Sequence, residues 1–193
     1  IWMKLAAIAL SFIVPLVITT YFLVKEQNIK IDFAQQELEG IDYLRPLSRL
    51  YVHTELYGAL VRQGDEAQAS RLEPTIDSDL RDLVAVDARL KDSLLTTSTA
   101  LNARNRGAAE PVRLQSAWES AKLAGASAAG REQVDELTAN MRTLITHVGD
   151  TSKLILDPDL DTYYIMDGLL LREAVVVDLL GRLGAAVDAL PSD

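Results

Sequence analysis

The N-terminal stretch of the chain, from Trp2 to Val24, is apolar on every side. No charged residue lies between Lys4 and Lys25. A helix of this length rises about 1.5 Å per residue to roughly 30 Å, the thickness of the hydrocarbon core of a bilayer. The pattern therefore predicts a membrane-spanning helix over residues 1–25. Pro15 near its centre predicts a mild kink, because proline frees one backbone carbonyl from its helical hydrogen bond.

Two other interpretations of this stretch fit the sequence less well. A secretory signal peptide would end in a cleavage site of small residues, whereas the segment from Ile18 to Lys25 offers only bulky or β-branched side chains around any cut. A buried core helix of a soluble protein would need apolar surroundings, yet no later segment is apolar on all sides. Everything after Lys25 is therefore expected to be the soluble part of a membrane-anchored protein.

Beyond Lys25, apolar residues recur at intervals of three and four, which is the period of one face of a helix. This pattern predicts helices over residues 29–62, 75–103, 112–123, 131–155 and 158–190. Two interruptions are expected, one at Pro46 within the first helix and one at Pro74 before the second. Asp87 intrudes as an acidic residue into the apolar stripe of the second predicted helix.

The fold class follows from the absence of any segment that alternates with period two. An all-α fold is predicted, in which the N-terminal transmembrane helix continues into an antiparallel helical bundle of the four-helix type, since long amphipathic helices bury their stripes best in this way. No turn cluster separates Val24 from Ile29, so the two segments are expected to form one rod. Residues 26–193 would form the bundle, with its C-terminal part truncated.

Composition and charge exclude several classes of protein. The net charge of −9 is unfavourable for a nucleic-acid partner, which requires a basic surface. The chain has no cysteine, which excludes disulfides and thiolate sites. His53 and His147 lack the spacing of metal ligands, so no metal is expected. No nucleophile with its base, glycine-rich phosphate loop or catalytic acid pair is present, so neither catalytic residues nor cofactors are predicted.

The densest polar motif runs from Ile155 to Asp167. Asp157 followed by Pro158 is typical of a helix start, and acidic residues in the first turn complement the helix dipole. Capping alone therefore accounts for the motif. A calcium loop is excluded, because Thr162 stands where that loop needs glycine and Gly168 where it needs a bidentate glutamate.

The same motif provides carboxylates and phenols that a helix would group on neighbouring faces. They could receive a small cationic or hydroxylated ligand together with residues of the first soluble helix, and they could equally bond backbone groups. The sequence shows no arginine pair for a carboxylate ligand. The candidate ligand-binding residues are Asp157, Asp159, Asp161, Tyr163, Tyr164 and Asp167 from the motif, with Glu37, Tyr43 and Arg45 from the first soluble helix, near which His53 also lies.

Two segments carry a resemblance to a known family, namely IDFAQQELEGIDYLRPLSRL at residues 31–50 and DTSKLILDPDLDTYYIMD at residues 150–167. With the preceding anchor, they resemble the extracytoplasmic sensory region of bacterial methyl-accepting chemotaxis receptors and of related transmembrane sensor kinases. The resemblance implies a periplasmic helical input domain, dimeric in the bacterial inner membrane. A second membrane helix, a HAMP linker and a cytoplasmic signalling domain would follow it.

Two functions are therefore expected from the sequence. The first is the sensory input region of a receptor for chemotaxis or two-component signal transduction, which passes a helix shift across the membrane. Its partners would be membrane lipid, a second copy of the chain, and a small-molecule ligand or a periplasmic partner protein. The alternative is a membrane-tethered helical scaffold that binds another envelope protein without signalling. Any catalytic output domain would lie beyond residue 193.

Overall fold

The described part of the chain is entirely helical. The computed structural model describes residues 2–154, and the side chains of all of these except residues 3 and 5–11. No strand is found over this range, so the prediction of an all-α fold is confirmed there. The predicted helix 158–190 lies outside the described residues. The elements are α1 (Trp2–Gln63), α2 (Glu66–Leu90), α3 (Ser98–Ala103), a 3₁₀ turn (Gly107–Ala109), α4 (Pro111–Ala124) and α5 (Ala128–Thr151).

Helix α1 is one continuous element of 62 residues. Its bounds confirm that no break separates Val24 from Ile29. Helix α1 continues through Pro46, so the interruption there does not end the helix. Proline removes the hydrogen bond to the carbonyl of Asp42, but Asp42 is exposed and its carbonyl can bind water, while the Pro46 ring is buried in the core.

The chain groups into two compact units, Ile1–Gln36 and Glu37–Asp193. In the first unit, every large apolar side chain described before Lys25 is exposed, including Phe12, Leu16 and Phe22. Lys30 and Glu26 form an ion pair on the helix surface, with nitrogen and oxygen 3.0 Å apart. Over the described residues, no helix has both the length and the apolarity that crossing a membrane requires.

Helix α2 differs from its predicted extent of 75–103 at both ends. It begins at Glu66, where the side chain of Asp65 accepts a hydrogen bond from the backbone N–H of Gln68 at 3.0 Å. Pro74 lies inside the helix instead of starting it. The bond that Pro74 cannot make would have reached the carbonyl of Ser70, and both residues are exposed, so water can satisfy that carbonyl.

The C-terminal end of α2 is set by a tight turn over residues 91–95. Leu95 adopts a left-handed backbone conformation with φ of 54°, which a continuing helix does not allow. The N–H of Thr96 donates to the carbonyl of Lys91 at 2.9 Å across this turn, in the manner of a Schellman cap. Thr97 then caps the short helix α3. The leucine period from Leu90 to Leu101 therefore spans two helices.

Helices α4 and α5 agree with the predicted segments 112–123 and 131–155. Pro111 occupies the first turn of α4, where its missing N–H costs nothing. Ser127 caps α5 by accepting from the N–H of Gly130 at 3.0 Å. Between the two helices, Gly125 has a positive φ of 55°. Its carbonyl lies against Gly130 so closely that a side chain there would collide with it.

The longer helices of the second unit run antiparallel to α1 where they meet it. Tyr43 and His53 of α1 contact Asp87 and Asp79 of α2, so α2 is followed backwards as α1 is followed forwards. Gly40 lies against Ser152 just beyond α5, whereas Arg62 pairs with Asp135 in α5 at 3.0 Å. These pairings agree with the predicted antiparallel arrangement.

One apolar core joins these helices. Leu47 and Leu50 of α1, together with Leu83 of α2, are fully buried in it. Trp118 of α4 is also fully buried, and its ring meets the edge of Tyr57 with centroids 4.9 Å apart. The largest contributions from α5 are Leu137, Met141, Leu144 and Val148.

Gly40 and Gly58 allow α1 to approach α5 and the turn that follows it. A Cβ atom at Gly40 would collide with the side chain of Ser152 and lie 2.8 Å from Cδ1 of Leu154. A Cβ atom at Gly58 would lie 2.9 Å from Cγ1 of Val134. The two glycines are five helical turns apart and therefore share one face of α1.

Replacing Gly40 by alanine tests this close contact. Alanine favours the helix by roughly 1 kcal/mol, but the collision with Ser152 should outweigh that gain, and Gly40→Ala should lower the free energy of unfolding by about 1–3 kcal/mol. Denaturation by urea, followed by circular dichroism, measures the change. Ser48→Ala, at an exposed position of the same helix, is the control and should change stability by less than about 0.5 kcal/mol. A Gly40→Ala variant as stable as the parent would contradict the contact.

Candidate functional site

The residues predicted to bind a ligand divide into two groups. Asp157, Asp159, Asp161, Tyr163, Tyr164 and Asp167 lie outside the described residues. Of the three on α1, Tyr43 is buried, Glu37 is half-buried and Arg45 is exposed. Tyr43 and Arg45 both lie along the contact between α1 and α2.

Tyr43 forms the core of a small hydrogen-bonded cluster. Its hydroxyl donates to Oδ1 of Asp87 at 2.8 Å, and Oγ1 of the buried Thr96 donates to the same oxygen at 2.6 Å. Burial raises the pKa of Tyr43, and the charge of Asp87 raises it further, so the phenol remains a donor at all ordinary pH values. This cluster accounts for the acidic intrusion at Asp87, and it fixes the end of α2 against α1.

A second polar cluster lies further along the same contact. Asp79 of α2 is 6% exposed, and its carboxylate is 2.5 Å from Nδ1 of His53 and 3.6 Å from Nε of Arg49. Arg49 also donates to Asp82 at 2.9 Å. A buried carboxylate without such partners would be costly. His53 and Arg49 therefore supply the partners that Asp79 needs inside the contact.

A groove with a volume of about 290 Å³ runs beside these clusters. Arginines 45, 49 and 89 line it together with Asp42 and Asp82, and its floor is Pro46, Ala85 and Val86. The sequence alone shows no arginine pair for a carboxylate ligand, whereas the structure places three arginines around one groove. Arg45 and Arg49, four residues apart on one helix, were the available signal, whereas Arg89 joins them only through the packing of α2.

The groove combines three positive and two negative side chains and is open to solvent. Arg49 is already bound to Asp79 and Asp82. An anionic group that entered the groove would therefore compete with these aspartates for Arg49 and weaken the contact between α1 and α2. In the described part of the chain, no three His, Asp or Glu side chains converge as a metal site requires.

His147 lies in a separate polar corner between α5 and the turn that follows α2. It is fully buried, and its Nε2 donates to the carbonyl of Leu95 at 2.9 Å. Its Nδ1 then accepts from Arg106, which also pairs with Asp150 at 3.0 Å. Burial lowers the pKa of His147, and the charges of Arg104 and Arg106 add to this effect against the opposing bond to Leu95.

Tyr43→Phe tests the cluster at Asp87. The variant removes one of the two donors to a half-buried carboxylate and should lower the free energy of unfolding by about 1–2 kcal/mol. Tyr57→Phe is a matched control, because Tyr57 is equally buried on α1, but its hydroxyl has no hydrogen-bond partner among residues 2–154. The control should be nearly neutral. Equal losses in the two variants would show that the bond to Asp87 contributes nothing.

The neutral state of His147 should make the protein less stable in mild acid. The folded pKa is lower than the ordinary value of 6.5, so the unfolded chain binds the proton first. The stability contributed by neutral His147 is complete above about pH 6.5 and is lost as the pH falls through that value towards the folded pKa. Urea denaturation should show a loss of about 1 kcal/mol between pH 7 and 5.5. His147→Gln, whose amide can still donate to Leu95, should remove most of this pH dependence. An unchanged slope of stability against pH in this variant would refute the assignment to His147.

No protein-family model, curated protein or solved structure matches this chain. What the protein does must therefore be inferred from its own residues.

Proposed function

We propose that the chain is the sensory input region of a bacterial transmembrane receptor for chemotaxis or two-component signal transduction. The N-terminal part of α1 is the membrane anchor, and the helices after Lys25 form a periplasmic domain that acts as a homodimer in the inner membrane. A small ligand or a periplasmic partner protein shifts α1 relative to its neighbours. Because α1 also carries the anchor, the shift reaches the membrane along a single helix.

The anchor is supported by the sequence from Trp2 to Val24 and by the exposure of its apolar side chains. No charge interrupts the chain between Lys4 and Lys25, and the described apolar side chains from Phe12 to Val24 are all exposed. The described residues alone do not supply a span, so this part of the proposal depends on the complete sequence, including residues 5–11. Lipid would cover side chains that water would otherwise have to solvate.

The observation that carries the proposal is that one continuous helix holds both this apolar segment and the polar contact with α2. That contact depends on specific charges, which a ligand can redistribute, rather than on apolar packing alone. A ligand shifts such an equilibrium only by its difference in affinity for the two states. A group that draws Arg49 away from Asp79 and Asp82 would have such a difference, because the two helices are held together by those pairs.

Cysteine labelling tests the anchor, since the chain has no cysteine of its own. Single variants Leu16→Cys and Ser116→Cys would be expressed in a bacterium and treated with a maleimide that passes the outer membrane but not the inner membrane. Ser116→Cys should react in intact cells, whose outer membrane admits the reagent. Leu16→Cys should react only after detergent is added. Recovery of the chain in the soluble fraction, or reaction of Leu16→Cys in intact membranes, would refute the anchor.

Signalling is tested by joining the whole chain to the second membrane helix and cytoplasmic kinase of a receptor whose output can be measured. Asp79→Asn and Arg49→Gln weaken the contact between α1 and α2 and should each change kinase output several-fold without loss of protein. Arg113→Gln, whose ion pair lies within the first turn of α4, should leave output unchanged. Identical output from all folded variants would instead favour a tethered scaffold that binds a partner and transmits nothing.

A further inference from the structure

A second cavity, of about 180 Å³, lies where α1, α2 and the α4–α5 connection meet. We call it the Tyr57 cavity. It shares no residue with the groove lined by Arg45, Arg49 and Arg89, which we call the arginine groove. Its walls combine small apolar residues with a phenol, a hydroxyl and three charged groups. The lining residues are Tyr57, Val61, Glu66, Ala69, Ser70, Glu73, Lys122, Gly125 and Ala126.

The side chain of Tyr57 lines this cavity, and its hydroxyl is open to it without a hydrogen-bond partner in the described residues. Tyr57 as a whole is 2% exposed, and no residue in the described range 2–154 hydrogen-bonds to its hydroxyl. Burial raises the pKa of Tyr57, and the charges of Glu73 and Lys122, both in the cavity wall, act on the same oxygen. All three side chains line the same cavity. Because the ring is buried while the oxygen is accessible and unpaired, the hydroxyl is available to a molecule bound in the cavity.

The positive charge in the wall is already neutralised. Nζ of Lys122 is 3.1 Å from Oδ1 of Asp77 and 3.2 Å from Oε2 of Glu119. Burial alone would lower the pKa of Lys122, but these two carboxylates raise it overall. Neither carboxylate belongs to the cavity wall. An entering anion would therefore find a lysine that is already doubly paired.

The negative charges in the wall are not neutralised in the same way. Within the described residues, Glu66 and Glu73 have no Lys, Arg or His at ion-pair distance. Glu73 is half-buried, so its charge is poorly screened by water. The cavity therefore favours a cation over an anion or a neutral molecule.

The remaining wall is apolar and rigid. The ring of Tyr57 packs edge-on against Trp118, which is itself held by a hydrogen bond of 2.6 Å from its Nε1 to Asp77. Val61, Ala69 and Ala126 complete the wall with short side chains. Such a surface suits a short alkyl group.

From this arrangement we infer that the Tyr57 cavity binds a small alkylammonium ion, with its charge beside Glu73, one N–H donating to the Tyr57 hydroxyl, and its alkyl chain against Val61 and Ala69. The inference that this molecule binds here depends only on the geometry and charges of the cavity. Its role as a sensory input rests in addition on the proposed receptor function.

Binding is tested with n-butylammonium chloride and the whole chain in detergent micelles. A Trp2→Phe background leaves Trp118 as the sole tryptophan, and Trp118 contacts Tyr57 directly, so its fluorescence reports on the cavity. The ammonium should give a saturable change at constant ionic strength. Butyrate should give none, and 1-butanol, which has a similar shape but no charge, should bind at least tenfold more weakly. Equal binding of butanol, or no saturable change in folded protein, would overturn the inference.

Three variants locate the site. Glu73→Gln keeps the shape of the side chain but removes its charge, and should weaken butylammonium binding at least tenfold. Tyr57→Phe should weaken it about threefold, whereas Glu132→Gln, the same change at an exposed position of α5, should have no effect. Circular dichroism confirms that each variant is folded. Unchanged affinity in Glu73→Gln would refute the assignment.

The kinase chimaera separates this inference from the proposed function. Butylammonium that binds the chimaera and changes its output in the parent, but not in Glu73→Gln, would support both. Saturable binding without any change of output would leave the cation site intact and refute its sensory role. Changes of output on Asp79→Asn, with no saturable binding of butylammonium, would refute the site and leave the receptor proposal standing.

Discussion

A carboxylate removed from water requires a hydrogen-bonding or positive partner, and α2 places three of them against its neighbours. Asp77 binds Trp118 and Lys122 of α4. Asp79 binds His53 and Arg49 of α1. Asp87 accepts from Tyr43 of α1 and from Thr96. The three are spread along α2, so together they fix its position relative to two other helices. The arginine groove and the Tyr57 cavity both lie beside these contacts.

The sequence predicts the helices of this protein better than it predicts their ends. The apolar period identifies α1, α4 and α5, because it reports which face of a helix is buried. It does not report where α2 ends, because Leu90, Leu94 and Leu101 keep the period across a turn. Leu95 holds its left-handed conformation there with the help of a hydrogen bond from His147 in α5. That bond depends on tertiary packing, which local sequence does not encode.

The candidate site was predictable only in part, for a related reason. Tyr43 and Arg45 were identified on α1, but their charged and polar companions come from α2. Asp87 lies 44 residues from Tyr43 in the chain, and its place in the apolar stripe signalled that it had a partner without indicating which. Tyr57 gave no signal at all, since a tyrosine on an apolar face has the same pattern whether or not its hydroxyl is satisfied.

The spacing of charges on α1 has a consequence for how the helices find their register. Arg45, Arg49 and His53 follow one another at intervals of four residues, so a basic side chain recurs on this face of α1 almost every turn. Sliding α1 by four residues, about 6 Å, would bring Arg45 to the place of Arg49 and Arg49 to that of His53, so basic side chains would still face Asp79. The slide would also put Glu39 where Tyr43 meets Asp87, and two carboxylates would then face each other. The same slide would put Gln36 where Gly40 meets Ser152, and Thr54 where Gly58 meets Val134. The repeat of basic residues around Asp79 thus fits two alignments of this helix, and Tyr43 together with the two glycines selects between them.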